Sequence, residues 1–110
     1  MLLEQAVKQG RERVGLSSDK PKLPAESLIR CWSNTVQSCP DKPAFSCLGQ
    51  TLSYGEVDQL SRRIASYLQK DLGLKAGDRI AIQLPNLIQY PAIALAAWHI
   101  GLVVVNTNPM

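Results

Sequence analysis

The stretch Arg79-Ile80-Ala81-Ile82-Gln83-Leu84-Pro85-Asn86-Leu87-Ile88-Gln89-Tyr90-Pro91-Ala92-Ile93-Ala94-Leu95-Ala96-Ala97-Trp98-His99-Ile100-Gly101-Leu102-Val103-Val104-Val105-Asn106 decides the fold. Arg79 to Leu84 alternates, with Ile80, Ile82 and Leu84 on one side, which is the period of a strand. Pro85-Asn86 breaks that strand and opens a helix, with Gln89 at capping-box spacing from Asn86. Pro91 then falls in the first turn of that helix or kinks it. Ala92, Leu95, Ala96 and His99 or Ile100 continue the helix to Gly101. Leu102 to Val105 is apolar throughout and mostly β-branched, with no polar face. Such strands occur in parallel sheets covered by helices on both sides. Strand, helix, strand is a βαβ unit, whose crossover is expected to be right-handed. A hairpin and two parallel strands cannot enclose so apolar a strand. The expectation is therefore an α/β fold, the start of a layered parallel-sheet domain, incomplete as an independent fold.

Upstream, Lys75-Ala76-Gly77-Asp78 reads as a turn, and Gly73 as a left-handed helix terminus with Leu74 as its apolar contact. The helix before it carries Val57, Leu60, Ile64, Leu68 and Leu72 on one face. Ser53 and Glu56 have capping-box spacing, flanked by Leu52 and Val57 as a hydrophobic staple. Ala44 to Leu48 and Thr51 to Ser53 read as a β-hairpin, with Gly49-Gln50 as a type II′ turn. Leu28, Trp32, Val36 and Cys39 form a helical stripe that Pro40 ends, with Pro24 expected at that helix's start. Residues 1–24 remain an unassigned leader: a helix from Met1 to Val14 and a linker from Gly15 to Pro24. The helix mixes Leu2 and Leu3 with Lys8, Arg11 and Arg13, so a peripheral membrane contact, a homodimer contact and a weakly ordered leader all stay open.

With 110 residues, 45% apolar and 19% charged, the chain suits one small globular domain and not a disordered tail or fibrous repeat. Its net charge of +3 is too small and scattered to support nucleic-acid binding. Cys31, Cys39 and Cys47 are odd in number and follow no secretory-type leader, so no disulfide framework is expected. The longest apolar run, Tyr90 to Val105, contains Pro91, His99 and Gly101 and falls short of the ~20 residues of a membrane span. A cytoplasmic setting is expected, with attachment to the inner face of the membrane as the open variant.

Leu52-Ser53-Tyr54-Gly55-Glu56, with Leu60-Ser61-Arg62 on the same helix, resembles the opening of AMP-forming acyl-CoA synthetases. So does Gly73-Leu74-Lys75-Ala76-Gly77-Asp78-Arg79-Ile80-Ala81. Leu84-Pro85-Asn86-Leu87-Ile88-Gln89-Tyr90-Pro91 and Gly101-Leu102-Val103-Val104-Val105-Asn106-Thr107-Asn108-Pro109 are similar to the bacterial long-chain fatty-acid–CoA ligase branch of this adenylate-forming superfamily. The resemblance implies that residues 25–110 are the N-terminal part of a large acyl-CoA synthetase domain. It implies that the whole enzyme uses ATP and Mg²⁺ to make an acyl-adenylate from a fatty acid and passes the acyl group to coenzyme A. The family's phosphate loop, ribose-binding acidic residue and C-terminal lysine are not found in these residues. The chain alone is therefore expected to be inactive. A free-standing interaction or dimerisation module, and a piece of another adenylate-forming ligase such as an aryl-CoA ligase, are the competing readings.

No residue is assigned a catalytic, cofactor-binding or metal role. Gly77-Asp78 reads as a turn pair, because a dinucleotide site needs an upstream glycine fingerprint. His99 has no visible catalytic partner, and a helix C-terminus favours its protonated form, so capping or packing is expected. Cys31, Cys39, Cys47 and His99 would formally suffice for zinc, but cysteines eight apart lack the pairwise spacing of structural sites. Arg62 and Arg63 read as solvated or salt-bridged. Asn106-Thr107-Asn108-Pro109 follows a parallel strand's carboxyl end, where ligands gather in open α/β sheets. Its ordinary reading is a turn that aligns the next helix, and any role would be support of an acyl or nucleotide pocket.

Overall fold

The computed structural model of the chain describes residues 2–17 and 26–108. In chain order the elements are α1 (Leu2–Arg13), α2 (Leu28–Ser38), β1 (Pro43–Cys47), β2 (Gln50–Ser53), α3 (Tyr54–Lys70), β3 (Arg79–Ile82), α4 (Gln89–His99) and β4 (Val103–Asn106). β1 and β2 form an antiparallel hairpin, with one irregularity between Pro43 and Phe45. β3 and β4 pair in parallel, Arg79 opposite Val103 and Ile82 opposite Asn106. The expected hairpin and βαβ unit are both present.

The parallel pair is held beyond its strand ends. The Val103 N–H donates to Asp78 O at 2.8 Å, and the Thr107 N–H donates to Ile82 O at 3.0 Å. Ile82 is buried and Ile80 half-buried, as the alternating pattern requires, while Ala81 faces outward. In β4, Val104 turns inward but Val103 and Val105 remain 47% and 42% exposed. One face of the parallel pair is thus covered, and the other, with Arg79 and Ala81 beside Val103 and Val105, is bare among the described residues.

The core lies between α3, α4 and the parallel pair. Ala65, Leu68, Ala96, Ala97 and Leu102 are its centre, with Ile64, Leu74, Ile80, Ile100 and Val104 packed around it. α4 is apolar nearly all round, and Ala92, Ala94, Leu95, Ala96 and Ala97 are all buried. Its small side chains let α3 lie close, so that Ser61 and Val57 are fully covered. α1 buries no residue and touches no other described element.

Several boundaries differ from expectation. The capping box of Ser53 and Glu56 is present in both directions, at 2.8 and 3.2 Å. The buried side of α3, however, is Val57, Asp58, Ser61, Ala65 and Leu68, a stripe rotated from the purely apolar one. α3 ends at Lys70, so Leu72 falls past it and is 53% exposed. Gly73 does take a left-handed φ of 66°, and the Leu74 N–H reaches back to Leu68 O at 3.0 Å.

The hairpin turn is centred on Leu48-Gly49, with Cys47 facing Gln50 and both central φ values positive. That is the type I′ form, one residue earlier than the expected type II′ turn. α4 opens at Gln89 after Ile88, without a side-chain cap, so the Asn86–Gln89 capping box is not formed. The Leu87 N–H instead donates to Pro85 O at 2.8 Å in a separate turn. Pro91 sits within the first turn of α4, where its missing N–H leaves no helical bond unmade. α2 starts under a Ser27 cap, which accepts from the Arg30 N–H, and Leu28 is 61% exposed. The expectations for Pro24, Pro109 and most of the linker fall on residues outside those described.

Candidate functional site

The carboxyl ends of β3 and β4 lie side by side because the strands are parallel. There the Tyr90 hydroxyl, from the first turn of α4, donates to Asn106 Oδ1 at 2.7 Å. The bond ties the end of β4 to the start of α4 and orients the chain leaving the sheet toward Thr107 and Asn108. A hollow of about 330 Å³ opens beside it between the hairpin and the segment leading into α4. Phe45, Cys47, Asn86, Leu87, Ile88 and Tyr90 are among its walls. Cys47 Sγ faces Asn86 O at 3.5 Å. The hollow has no carboxylate, imidazole or ammonium on its walls. It can receive apolar groups but offers no acid–base pair.

A second constellation joins α2, α3 and α4. Asp58 accepts from Trp32 Nε1 at 3.0 Å through Oδ1 and from Arg62 Nε at 2.7 Å through Oδ2. His99 Nε2 lies 3.6 Å from the same Oδ1, beyond hydrogen-bonding distance, and is buried with no partner. Trp32 also packs on Tyr54, ring centroids 5.4 Å apart. Burial alone would raise the Asp58 pKa, but the Arg62 and Trp32 hydrogen bonds and the Arg62 charge outweigh it and hold the carboxyl below its usual range. Burial, helped by the Arg62 charge, lowers the His99 pKa against the pull of Asp58. His99 is therefore favoured in its neutral form, opposite to the expectation drawn from the helix C-terminus. Desolvation and the Arg62 charge outweigh the attraction of Asp58.

The other candidates make local contacts. Asp78 Oδ2 accepts from the Lys75 N–H at 2.8 Å, and the Asp78 N–H donates to Lys75 O at 3.0 Å. The Gly77 N–H donates to Gly101 O at 2.9 Å, so this pair joins the turn before β3 to the end of α4. Arg62 is salt-bridged to Asp58. Cys31, Cys39 and Cys47 are free and half-buried, with Cys39 Sγ directed to Thr35 O at 3.3 Å.

Residues 32–110 match the AMP-binding enzyme family. The chain belongs to that family. Among its relatives, a long-chain-fatty-acid–CoA ligase of Yersinia pestis is 38% identical over 106 residues, which cover 90% of this chain and 19% of the ligase. The corresponding ligase of Escherichia coli O157:H7 is 40% identical over 85 residues, 77% of this chain and 15% of that protein. A 4-coumarate–CoA ligase of Oryza sativa is 39% identical over a shorter reach, 56% of this chain and 11% of its own length. The chain therefore spans less than a fifth of these ligases. Among solved structures, the N-terminal subdomain of Klebsiella oxytoca NpsA superposes with a TM-score of 0.73 at 25% identity, over 77% of this chain and 22% of that one. VinN in complex with L-aspartate gives 0.70 at 28%, over 74% and 21%.

The α/β arrangement is thus that of the N-terminal subdomain of adenylate-forming, AMP-binding enzymes. Both constellations, Tyr90–Asn106 and Trp32–Asp58–Arg62–His99, lie inside the AMP-binding match, whereas α1 precedes it. Sequence reasoning did not find the second one. Asp58 and His99 are far apart in the chain, and no local spacing announces their meeting.

Proposed function

We propose that residues 25–110 form the N-terminal part of the large domain of a long-chain fatty-acid–CoA ligase. In that ligase a fatty-acid carboxylate oxygen attacks the α-phosphorus of ATP, and the bond to pyrophosphate breaks to give an acyl-adenylate. The coenzyme A thiol then attacks the acyl carbonyl carbon, and AMP leaves. The observation that carries the reading is 38% identity to the Yersinia pestis ligase across 90% of this chain. The rice aryl-type relative aligns over only 56%, which favours fatty acids as the substrate class.

The part played by these residues is that of scaffold. β3 and β4 present their carboxyl ends together, and the Tyr90–Asn106 bond sets the path of the chain leaving the sheet. No group of three His, Cys, Asp or Glu side chains suited to a metal occurs among the described residues. ATP, coenzyme A and the fatty acid would be bound by the whole ligase. Its setting would be cytoplasmic, with α1 free to meet the inner membrane face. No described helix is long and apolar enough to cross a membrane.

ATP–pyrophosphate exchange with palmitate tests the proposal in two arms. The 110-residue chain by itself is expected to show none. A chimera of the Yersinia pestis ligase carrying residues 25–110 in place of its own matching segment is expected to exchange. Exchange by the chain alone would overturn its scaffold role. A folded chimera that binds ATP yet activates no fatty acid would overturn the ligase assignment.

A further inference from the structure

β4 is used on one edge only. Among the described residues it pairs with β3 and with no other strand. Ile80 stands opposite Val104, and the Val103 and Thr107 N–H groups donate to Asp78 O and Ile82 O. Backbone groups along a paired strand point alternately to its two sides, so Val103 and Val105 turn their N–H and C=O to β3. Val104 and Asn106 turn theirs to the open edge, as does the Leu102 carbonyl. β4 contains no charged side chain and no proline, the devices that keep an edge from pairing. The open edge of β3, in contrast, begins at Arg79. On the outward face of β4, Val103 and Val105 stay exposed.

We infer that this edge docks a second copy of the chain: the two β4 strands pair antiparallel about a two-fold axis at Val104, making one sheet in the order β3, β4, β4, β3. The register follows from the groups left open. Centring on Val104 sets that residue opposite itself, and the two copies exchange its N–H and C=O as a hydrogen-bonded pair. The Asn106 N–H of each copy then donates to Leu102 O of the other. Val103 of one copy falls opposite Val105 of the other as a non-hydrogen-bonded pair, the kind in which side chains come closest. Both such pairs lie on the outward face, so the exposed valines of the two copies cover one another. β-branched cross-strand neighbours are well suited to that contact. A two-fold axis at Val105 is a poorer match, setting Val104 opposite Asn106 and Val103 opposite Thr107. Charge agrees with the Val104 axis. Arg79 of each copy lies on an outer strand, three strand spacings or about 14 Å from its counterpart, so no like charges meet. The edge is complementary to itself, as a two-fold interface requires, and this singles out a second copy as its occupant. The inference rests on the strand register and does not depend on the ligase reading.

Sedimentation equilibrium and amide exchange over a concentration series test the inference on the unaltered chain. The mean mass should rise toward twice that of one chain. In step with it, exchange at the Val104 and Asn106 amides should slow about tenfold or more. The Val103, Val105 and Thr107 amides, already bonded to β3, should stay protected throughout. Val103→Glu and Val105→Lys should each remain monomeric, since a charge then faces valine across the axis. Mixed in equal amounts they should regain the dimer, because the new carboxylate of one falls opposite the new ammonium of the other. Far-ultraviolet circular dichroism shows whether each variant is folded; should one not be, the amide pattern of the unaltered chain decides alone. A mass that stays at one chain would overturn the inference. So would a dimer whose Val104 and Asn106 amides exchange as fast as in the monomer, or a mixture of folded variants that stays monomeric. A chain that is monomeric alone yet binds the Yersinia pestis ligase stripped of its matching segment would give the edge to the ligase, and the second copy would fall.

Discussion

Leu48 stands in left-handed backbone at φ 50° with 92% of its surface in solvent. A left-handed conformation costs an ordinary L residue roughly 1–2 kcal/mol, and at this exposure the side chain recovers little by packing. Leu48→Asn, the residue that type I′ turns prefer at that position, is expected to stabilise the chain by about 0.5–1 kcal/mol. Thermal unfolding followed by circular dichroism would show it as a raised midpoint; an unchanged or lowered one would mean that Leu48 packs on something. The turn was legible in Gly49, but not its centre, since leucine disguises a position that chemistry would give to Asn or Gly. At the same scale, His99 has a lowered pKa in the folded chain. The unfolded state therefore takes up this proton first as the pH drops below 6.5, and stability falls until the folded value is passed. Asp58 adds stability that is full above 3.8 and is lost as the pH falls through its lower folded value. Urea midpoints measured from about pH 7 to about pH 5 should therefore decline, and decline less in His99→Gln.

Among the elements, α3 is the one that local sequence specifies best. Its capping box satisfies two of the four orphan N–H groups at its start, while Lys42 O and Pro40 O accept from the other two, and Ser53→Ala is expected to cost about 1 kcal/mol. The two ends marked by glycine then separate conformational from steric cost. A Cβ on Gly73, at φ 66°, would meet nothing within 4 Å. A Cβ on Gly101, at φ 75°, would stand 3.1 Å from Ala76 Cβ. Both substitutions to alanine incur the left-handed penalty, but Gly101→Ala also pushes on the turn before β3, so it should lower the melting point more. Gly73→Val should exceed Gly73→Ala, because a β-branched side chain resists that backbone further. Equal effects at the two glycines would show that the Ala76 contact relaxes freely. The inner face of α3 was only partly legible. Apolar periodicity selects Leu60, Ile64 and Leu72, while the helix actually buries Asp58 and Ser61. Their polarity is neutralised by bonds to Trp32, Arg62 and the Asp58 carbonyl that no pattern of spacing reveals. α4 misled differently, since Asn86 resembles a cap but is used in a preceding turn.

For the whole molecule, the run from Leu102 to Val105 foretold the parallel pair. The strand is apolar on both sides, and among the described residues one of them faces solvent. Two-stranded sheets with a bare apolar face are poor at remaining alone, and unpaired strand edges recruit other chains. The isolated 110-residue chain is thus expected to associate reversibly, its mean mass in sedimentation equilibrium rising across a tenfold concentration series. Val105→Lys places a charge on the outward face, away from the core that Val104 contacts, and should suppress the rise while leaving the far-ultraviolet spectrum unchanged. Val104→Lys would instead bury a charge against Ile80 and Leu102 and should unfold the chain. An unaltered chain that stays monomeric at every concentration, with protected amides from Val103 to Asn106, would show that the exposed face needs no cover. It would then favour a free-standing interaction module over the scaffold of a larger ligase.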